Sequence, residues 1–215
     1  MIEPAVLVFP ALDALRNVRH GFVCRVRDLD VITGREEALA RLSQLHGCLV
    51  QKAGLLPLRR AEQVHGSEVA VVHSGSPAVT AHADALVTQD AGVTLGIYVA
   101  DCCAVYLVDP RRRAIGLAHS GRKGTAAGIA GRSLQLMSQA FGTDPADVIA
   151  QLSPCIRPPH YEVDFAADIR RQLAAAGVAQ VIDCGQNTAA DLARFYSYRM
   201  ERGKTGRMLA YLALV

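Results

Sequence analysis

The chain has 215 residues, of which 51% are hydrophobic and 20% charged, a composition typical of globular proteins. Its 23 basic and 20 acidic residues give a formal net charge of +3, too small a bias to indicate binding to nucleic acid. Tryptophan is absent and aromatic residues make up 5%, which disfavours a surface for stacking bases. No apolar run approaches the 18 residues of a membrane-spanning helix, so we expect no membrane partner and one domain over residues 1–215.

The six cysteines form no CxxC pair, and Cys102 and Cys103 are adjacent, a poor geometry for a structural disulfide. The first residues contain two prolines and no basic region before the apolar stretch, unlike a secretory signal. We therefore expect a cytoplasmic protein with reduced thiols.

In chain order, a capping-box spacing at residues 33–36 precedes a periodic apolar pattern that predicts a helix over 35–53. Short β-like runs follow at 62–64, 69–72, 84–88, 93–99, 104–108 and 114–118. Asp109-Pro110 predicts a turn that pairs the last two of these strands as an antiparallel hairpin. Helices are predicted over 124–141, 165–175 and 188–202, and a strand over 207–215. Because several strands follow one another directly, the pattern favours an α+β fold, a layered α/β sandwich with mixed, largely antiparallel sheets.

Three potential metal ligands lie beside strands or turns. His65 occurs in Gln-Val-His-Gly, Cys102 follows the apolar strand 93–99, and His119 follows the apolar run 114–117. If neighbouring strands bring these positions together, one thiolate and two imidazoles leave an open position, the arrangement of a catalytic zinc site. The alternative is three unrelated turn residues and a buried thiol.

The segment His-Ser-Gly-Arg-Lys-Gly-Thr at 119–125 is glycine-rich and enters a predicted helix. Arg122, Lys123 and the N–H of Gly124 could bind an anion there, although a simple strand-to-helix turn with solvated charges is equally compatible. Asp84, Asp101 and Glu68 are candidate general bases, and each could instead be a cap or turn residue.

Two further patterns do not lead to a site. His160 and Glu162 match half of the zinc deaminase signature, but no Pro-Cys-x-x-Cys follows, so we interpret them as a turn residue and a strand-start residue. The chain has seven histidines and no His-x-His pair, which makes a multicopper centre improbable. Strand alternation points Cys103 away from Cys102 and into the core.

Taken together, the motifs resemble the YfiH/LACC1 family, also described as laccase-domain or polyphenol oxidase proteins. The matching motifs follow the family's order and span about residues 59–214: QVHG (63–66), DALVT (84–88), VADC (99–102), AHSGRKGT (118–125), SPCIRPPHYEV (153–163) and FYSYR…TGRM (195–208). The resemblance implies a zinc-dependent purine nucleoside phosphorylase, acting on adenosine, inosine and methylthioadenosine, with adenosine deaminase activity.

Carried over residue by residue, the resemblance implies metal ligands His65, Cys102 and His119. It implies Zn²⁺ as cofactor, with Cu²⁺ as the alternative, and a small-molecule nucleoside and phosphate as partners. We expect Asp101 and Asp84 as catalytic residues. Substrate or phosphate binding is expected of Gln63, Arg122, Lys123 and Gly124.

The chain departs from the family at Arg122, where the family has tryptophan, a change that bears on substrate preference.

Three rival functions follow from the same residues. Cys102 and His119 would suit a metal-free Cys–His hydrolase acting, for example, on peptidoglycan precursors. The others are a copper-dependent polyphenol oxidase and an interaction module without catalysis.

Overall fold

The computed structural model describes residues 4–55 and 57–215, and its strands form two six-stranded mixed sheets. Sheet A has the order β1 (Val6–Leu7), β2 (Val18–Val23), β12 (Met208–Leu214), β7 (Thr94–Val99), β3 (Leu58–Ala61) and β5 (Val79–Thr80). Sheet B has the order β11 (Gln180–Asp183), β10 (Ile149–Leu152), β8 (Cys103–Asp109), β9 (Ala114–Ser120), β6 (Ala85–Thr88) and β4 (Val69–Val71).

The two sheets pack face to face and helices cover their outer faces. Buried side chains such as Ile97 of sheet A and Tyr106 of sheet B share the central core. Helix α2 (Arg35–Lys52) covers the outside of sheet A, whereas α4 (Ile129–Phe141) and α5 (Phe165–Ala175) cover sheet B. Every residue of β7, β8 and β9 is buried, because these strands have packed layers on both faces. This explains their continuous apolar sequences.

The expected α+β sandwich with mixed sheets is confirmed. The central pairs of each sheet are antiparallel, and the parallel pairs lie toward the edges. The β8–β9 hairpin is also confirmed, with Asp109 opposite Ala114. The Asp109 carboxylate accepts hydrogen bonds from the N–H groups of Arg111 and Arg112, which closes the turn.

The helix and strand predictions hold in part. The helices over 35–53 and 165–175 and the last strand are confirmed as α2, α5 and β12. The N-cap of α2 is Gly34 and makes no side-chain cap, so the predicted capping box is wrong. The predicted helix over 124–141 is two helices, α3 (Arg122–Ala126) and α4. They are separated at Gly128, whose φ of 74° breaks the helical backbone.

Three local predictions are wrong. Residues 62–64 form a loop, because β3 ends at Ala61 and the chain turns at Gln63 with φ 66°. Residues 188–202 contain only a short 3-10 turn, Thr188–Ala190, followed by turns. Glu162 lies in a loop and starts no strand. None of the helices in the described part of the chain is long and apolar enough to cross a membrane.

The remaining short helix, α1 (Pro10–Asp13), packs beside β2. His20 and His46 are buried, whereas His73 and His82 are exposed.

Candidate metal centre

His65, Cys102 and His119 meet at one end of the sandwich. His65 lies in the loop after β3, Cys102 in the turn between β7 and β8, and His119 in β9 opposite Ala104. Their ligand atoms all lie within 4.8 Å of one another, and the two imidazole ring centroids are 4.8 Å apart. Among residues 4–55 and 57–215, this is the one group of at least three potential ligands close enough to hold an ion.

Asp84, immediately before β6, connects two parts of this centre. Its Oδ1 lies 2.8 Å from Nδ1 of His119, on a carboxylate that is fully buried. The same carboxylate accepts hydrogen bonds from the N–H groups of Val64, His65 and Gly66, at 3.1, 2.9 and 2.7 Å. The contact with Nδ1 leaves Nε2 of His119 as the ring nitrogen available for a ligand bond. Asp84 therefore orients one histidine and fixes the loop that carries the other.

The backbone around Cys102 is adapted to a close approach. A Cβ atom at Gly121 would lie 2.5 Å from Sγ of Cys102, so a side chain at this position would displace the sulfur from its present place. His65 and Asp101 have positive φ values of 62° and 82°, conformations that non-glycine residues rarely adopt and that cluster at functional sites.

Cys102, His119 and Asp84 shift one another's pKa values. Burial opposes ionisation of Cys102, but the His119 charge and hydrogen bonds from both histidines lower the pKa of this thiol to about 6. Burial disfavours the charged form of His119, yet the Cys102 thiolate and Asp84 raise its pKa to about 9. Hydrogen bonds from His119 and from the loop N–H groups outweigh burial and lower the pKa of Asp84. These shifts favour the thiolate of Cys102, the form that binds a metal, whereas His119 would have to release its proton before Nε2 could bind one.

The donor set fits a zinc ion. One thiolate and two imidazoles are ligands that zinc and copper accept. Ideal tetrahedral zinc needs donor atoms about 3.5 Å apart, given bond lengths of about 2.0 to 2.3 Å. The ligand atoms lie within 4.8 Å of one another, so they would have to move closer by up to about 1.3 Å (4.8 minus 3.5) to hold the ion.

A cavity of about 730 Å³ opens onto the three residues, a volume suited to a small organic molecule. Aromatic and aliphatic side chains form much of its wall, namely Tyr98, Ile156, Tyr161, Phe165 and Tyr198. The cavity is also lined by five basic side chains: Arg35, Arg122, Lys123, Arg199 and Arg207. An uncharged ring and an anion would both find complementary surfaces here.

The other residues with expected roles occupy different surroundings. The Gln63 amide exchanges hydrogen bonds with the backbone of Tyr98, at 2.6 and 2.9 Å. The Asp101 carboxylate accepts from Thr188 Oγ1, Ser197 Oγ and the N–H of Arg199. Because these polar groups already have partners, the geometry favours positioning roles for Gln63 and Asp101.

Arg122 and Lys123 of the glycine-rich segment line the cavity. Arg122 and Lys123 are exposed, whereas Gly124 is buried, and a Cβ there would be 3.2 Å from the carbonyl oxygen of Gly66. Gly124 thus permits close packing of α3 on the His65 loop. Glu68 is exposed and is not a lining residue of the cavity.

Sequence reasoning missed Glu162 as part of the site. Its two oxygens accept from Arg122 at 3.3 Å and from Arg199 at 2.5 Å, and Arg199 also lies over the ring of Tyr161 at 4.8 Å. Glu162 and Arg199 occur in two of the motifs that carry the family resemblance, but no spacing rule connects them. Arg35, which begins α2, carried no signal in the sequence.

Comparison with known proteins places this two-sheet sandwich, with its His–Cys–His group beside a cavity, in a known family. A family model described as multi-copper polyphenol oxidoreductase laccase matches residues 25–168 and 163–215. The purine nucleoside phosphorylase YlmD of Geobacillus stearothermophilus is 33% identical over 199 residues, which cover 73% of each chain. A purine nucleoside phosphorylase of Deinococcus radiodurans is 36% identical over 181 residues, covering 72% of this chain and 69% of its own.

Solved structures agree with this relationship. The crystal structure of YlmD from Geobacillus stearothermophilus superposes with a TM-score of 0.80 and 27% identity over 93% of both chains. The hypothetical protein YfiH of Bacillus licheniformis has the same fold, with a TM-score of 0.86 at 23% identity. The chain therefore belongs to the YfiH/LACC1 family, as the motifs predicted.

Proposed function

We propose that this chain is a zinc-dependent purine nucleoside phosphorylase that also deaminates adenosine. The observation that carries the proposal is the convergence of His65, Cys102 and His119 at the floor of a cavity with aromatic and cationic walls. Relatives that are 33% and 36% identical are named purine nucleoside phosphorylases, which supports the nucleoside as substrate.

Zinc is proposed because three protein ligands with a side open to a cavity is the pattern of catalytic zinc sites. His65, Cys102 and His119 would hold the ion, and Asp84 would keep Nε2 of His119 directed at it. When bound, zinc would supply Lewis-acid chemistry at its open position, which is what deamination of adenosine requires. Cu²⁺ is the alternative metal for the same donor set, although a single group of three ligands does not make a multicopper centre.

The cavity walls suit the two substrates of phosphorolysis. In this reaction a phosphate oxygen bonds to C1′ of the ribose while the bond from C1′ to the base breaks, and its electron pair leaves with the base. Positive charge develops on the sugar, so an adjacent phosphate stabilises the transition state. Tyr161, Phe165 and Tyr198 offer rings against which a purine can stack. The assignment of phosphate to Arg122, Lys123 and Gly124 stays a prediction.

A test compares Cys102→Ala with Cys48→Ala, a matched change at an exposed cysteine. We expect Cys102→Ala to lose bound zinc and the phosphorolysis of inosine, adenosine and methylthioadenosine, whereas Cys48→Ala keeps both. Elemental analysis gives the metal content, and release of the free base gives the activity. Survival of both properties in the Cys102 variant would refute the proposal.

A metal-free Cys–His hydrolase is the second candidate, and the low pKa of Cys102, about 6, favours it. Peptidoglycan precursors would be its substrates. Iodoacetamide separates the two proposals. A free thiolate at Cys102 is alkylated at once, whereas a zinc-bound one reacts only after a chelator is added. Mass spectrometry of the peptide containing Cys102 measures this difference.

Finally, we propose a cytoplasmic location, supported by the free thiols of all six cysteines.

A further inference from the structure

Arg207, at the entry to β12, is a buried cation that forms no salt bridge within the described part of the chain. Only 8% of the residue is exposed, and it lines the cavity. Its Nη1 donates to the carbonyl oxygens of Thr205 and Gly206 at 2.7 and 2.9 Å. Its Nε and Nη2 have no hydrogen-bond partner in the described part of the chain. Asp101 and Cys102 attract this charge without forming an ion pair with it. A buried charge without a paired carboxylate is costly, so this side chain is a good candidate to bind an anion.

Several other arginines that are partly buried or line the same cavity pair with a carboxylate. Arg157 pairs with Asp183, and Arg25 pairs with Glu201. Both Arg122 and Arg199 pair with Glu162. Of the arginines that line the cavity in the described chain, Arg207 and Arg35 therefore remain without a carboxylate.

Arg35 brings a second positive charge to the same region. It is exposed at the first turn of α2, and its Nη2 donates to the carbonyl oxygen of Glu62 at 2.7 Å. Both side chains line the same cavity, and burial and then the repulsion from Arg35 lower the pKa of Arg207. Cys102 also acts electrostatically on Arg207, so the pair lies near the candidate metal centre.

We propose that Arg207 and Arg35 form a subsite for a tetrahedral oxyanion, and that inorganic phosphate occupies it during phosphorolysis. The identification of the anion as co-substrate rests on the proposed function. Free N–H groups on a planar guanidinium can bind two oxygens of one phosphate, and the anion would relieve the repulsion between the two cations. The subsite is an alternative to the predicted phosphate role of Arg122, whose charge is partly offset by Glu162.

The first experiment measures binding of inorganic phosphate alone to the zinc-loaded protein by calorimetry. We expect Arg35→Gln to weaken phosphate binding about 5- to 10-fold and Arg207→Gln about 10- to 100-fold, the range for losing hydrogen bonds to a charged group. Arg41→Gln is the matched control, since Arg41 lies on the same helix and pairs with Asp30 and Glu37. Arg35 is exposed, so its variant tests the subsite even if the Arg207 variant does not fold.

The second experiment measures steady-state KM values with inosine. The KM for phosphate is expected to rise by the same factors, while the KM for inosine changes less than 2-fold. The subsite is refuted if the parent protein phosphorolyses inosine and folded Arg35 and Arg207 variants keep its phosphate affinity, or if Arg122→Gln alone weakens it. If phosphate binding depends on both arginines but the parent protein cleaves no nucleoside, the subsite stands and the proposed function fails.

Discussion

Oδ1 of Asp84 and Nδ1 of His119 lie 2.8 Å apart in the buried part of the candidate metal centre. This pair couples the orientation of the imidazole to the loop that carries His65, because the same carboxylate accepts three loop N–H groups. Hydrogen bonds of this kind to a ligating histidine set its tautomer and raise its basicity.

Replacing Asp84 by Asn is therefore expected to weaken zinc binding about 10- to 100-fold. The amide carries no negative charge to attract the His119 ring, and its NH₂ group cannot accept hydrogen bonds from the N–H groups of the loop. Competition with a chelating dye measures the affinity. Asp13→Asn, at an exposed position, serves as control and should bind zinc as tightly as the parent. Equal affinities in the two variants would contradict the positioning role of Asp84.

Gly121→Ala is expected to abolish metal binding, because the new Cβ would lie 2.5 Å from the Cys102 sulfur and displace it. Gly131→Ala is the matched control. It lies in α4, where a Cβ would meet nothing within 4 Å, and it should stabilise the fold by about 0.5 to 1 kcal/mol. Zinc content and thermal unfolding of both variants check this expectation, which a metal-loaded Gly121→Ala protein would contradict.

His46 makes stability depend on pH. It is fully buried on α2 and stacks on Tyr98 with ring centroids 5.6 Å apart. Burial lowers its pKa to about 4, from an ordinary value of about 6.5. At a pH below about 6.5, His46 is protonated in the unfolded chain but stays neutral in the folded chain until the pH approaches 4. This contribution to the free energy of unfolding therefore decreases as pH falls from about 6.5 to about 4.

At pH 5 the loss from His46 alone should be about 2 kcal/mol. Urea unfolding at pH 7.5 and pH 5 measures the total change, and His46→Gln should reduce it by about this amount. His73→Gln, at an exposed histidine, should leave the change as in the parent. An unaltered pH dependence in His46→Gln would show that the imidazole titrates normally in the folded protein.

Glu162→Gln removes the carboxylate shared by Arg122 and Arg199. Both ion pairs are largely exposed, so the free energy of unfolding should change by less than about 0.5 kcal/mol. The additional positive charge in the cavity should lower the KM for phosphate about 2- to 3-fold, and high salt should diminish this effect. An increase in that KM would mean that Glu162 organises the arginines for binding and does more than neutralise them.

The sequence indicated the metal centre better than the cavity around it. His65, Cys102 and His119 each interrupt apolar patterns, so their positions at strand ends and turns were visible. The helix expected over 188–202 is absent because Asp101, about 90 residues earlier, accepts from Thr188, Ser197 and the N–H of Arg199. Local periodicity carries no information about such distant partners. For the same reason the pairing of Glu162 with two arginines, and the isolation of Arg207, emerge only from the folded chain.

Two of the three candidate ligands lie on connections that cross from one sheet to the other. His65 lies between β3 of sheet A and β4 of sheet B, and Cys102 lies between β7 of sheet A and β8 of sheet B. A bound ion would link these two connections to β9 and so hold the two sheets together at one end of the sandwich. Metal loading and global stability would then be thermodynamically linked, and stripping the ion would loosen the seam between the layers as well as remove the reactive centre.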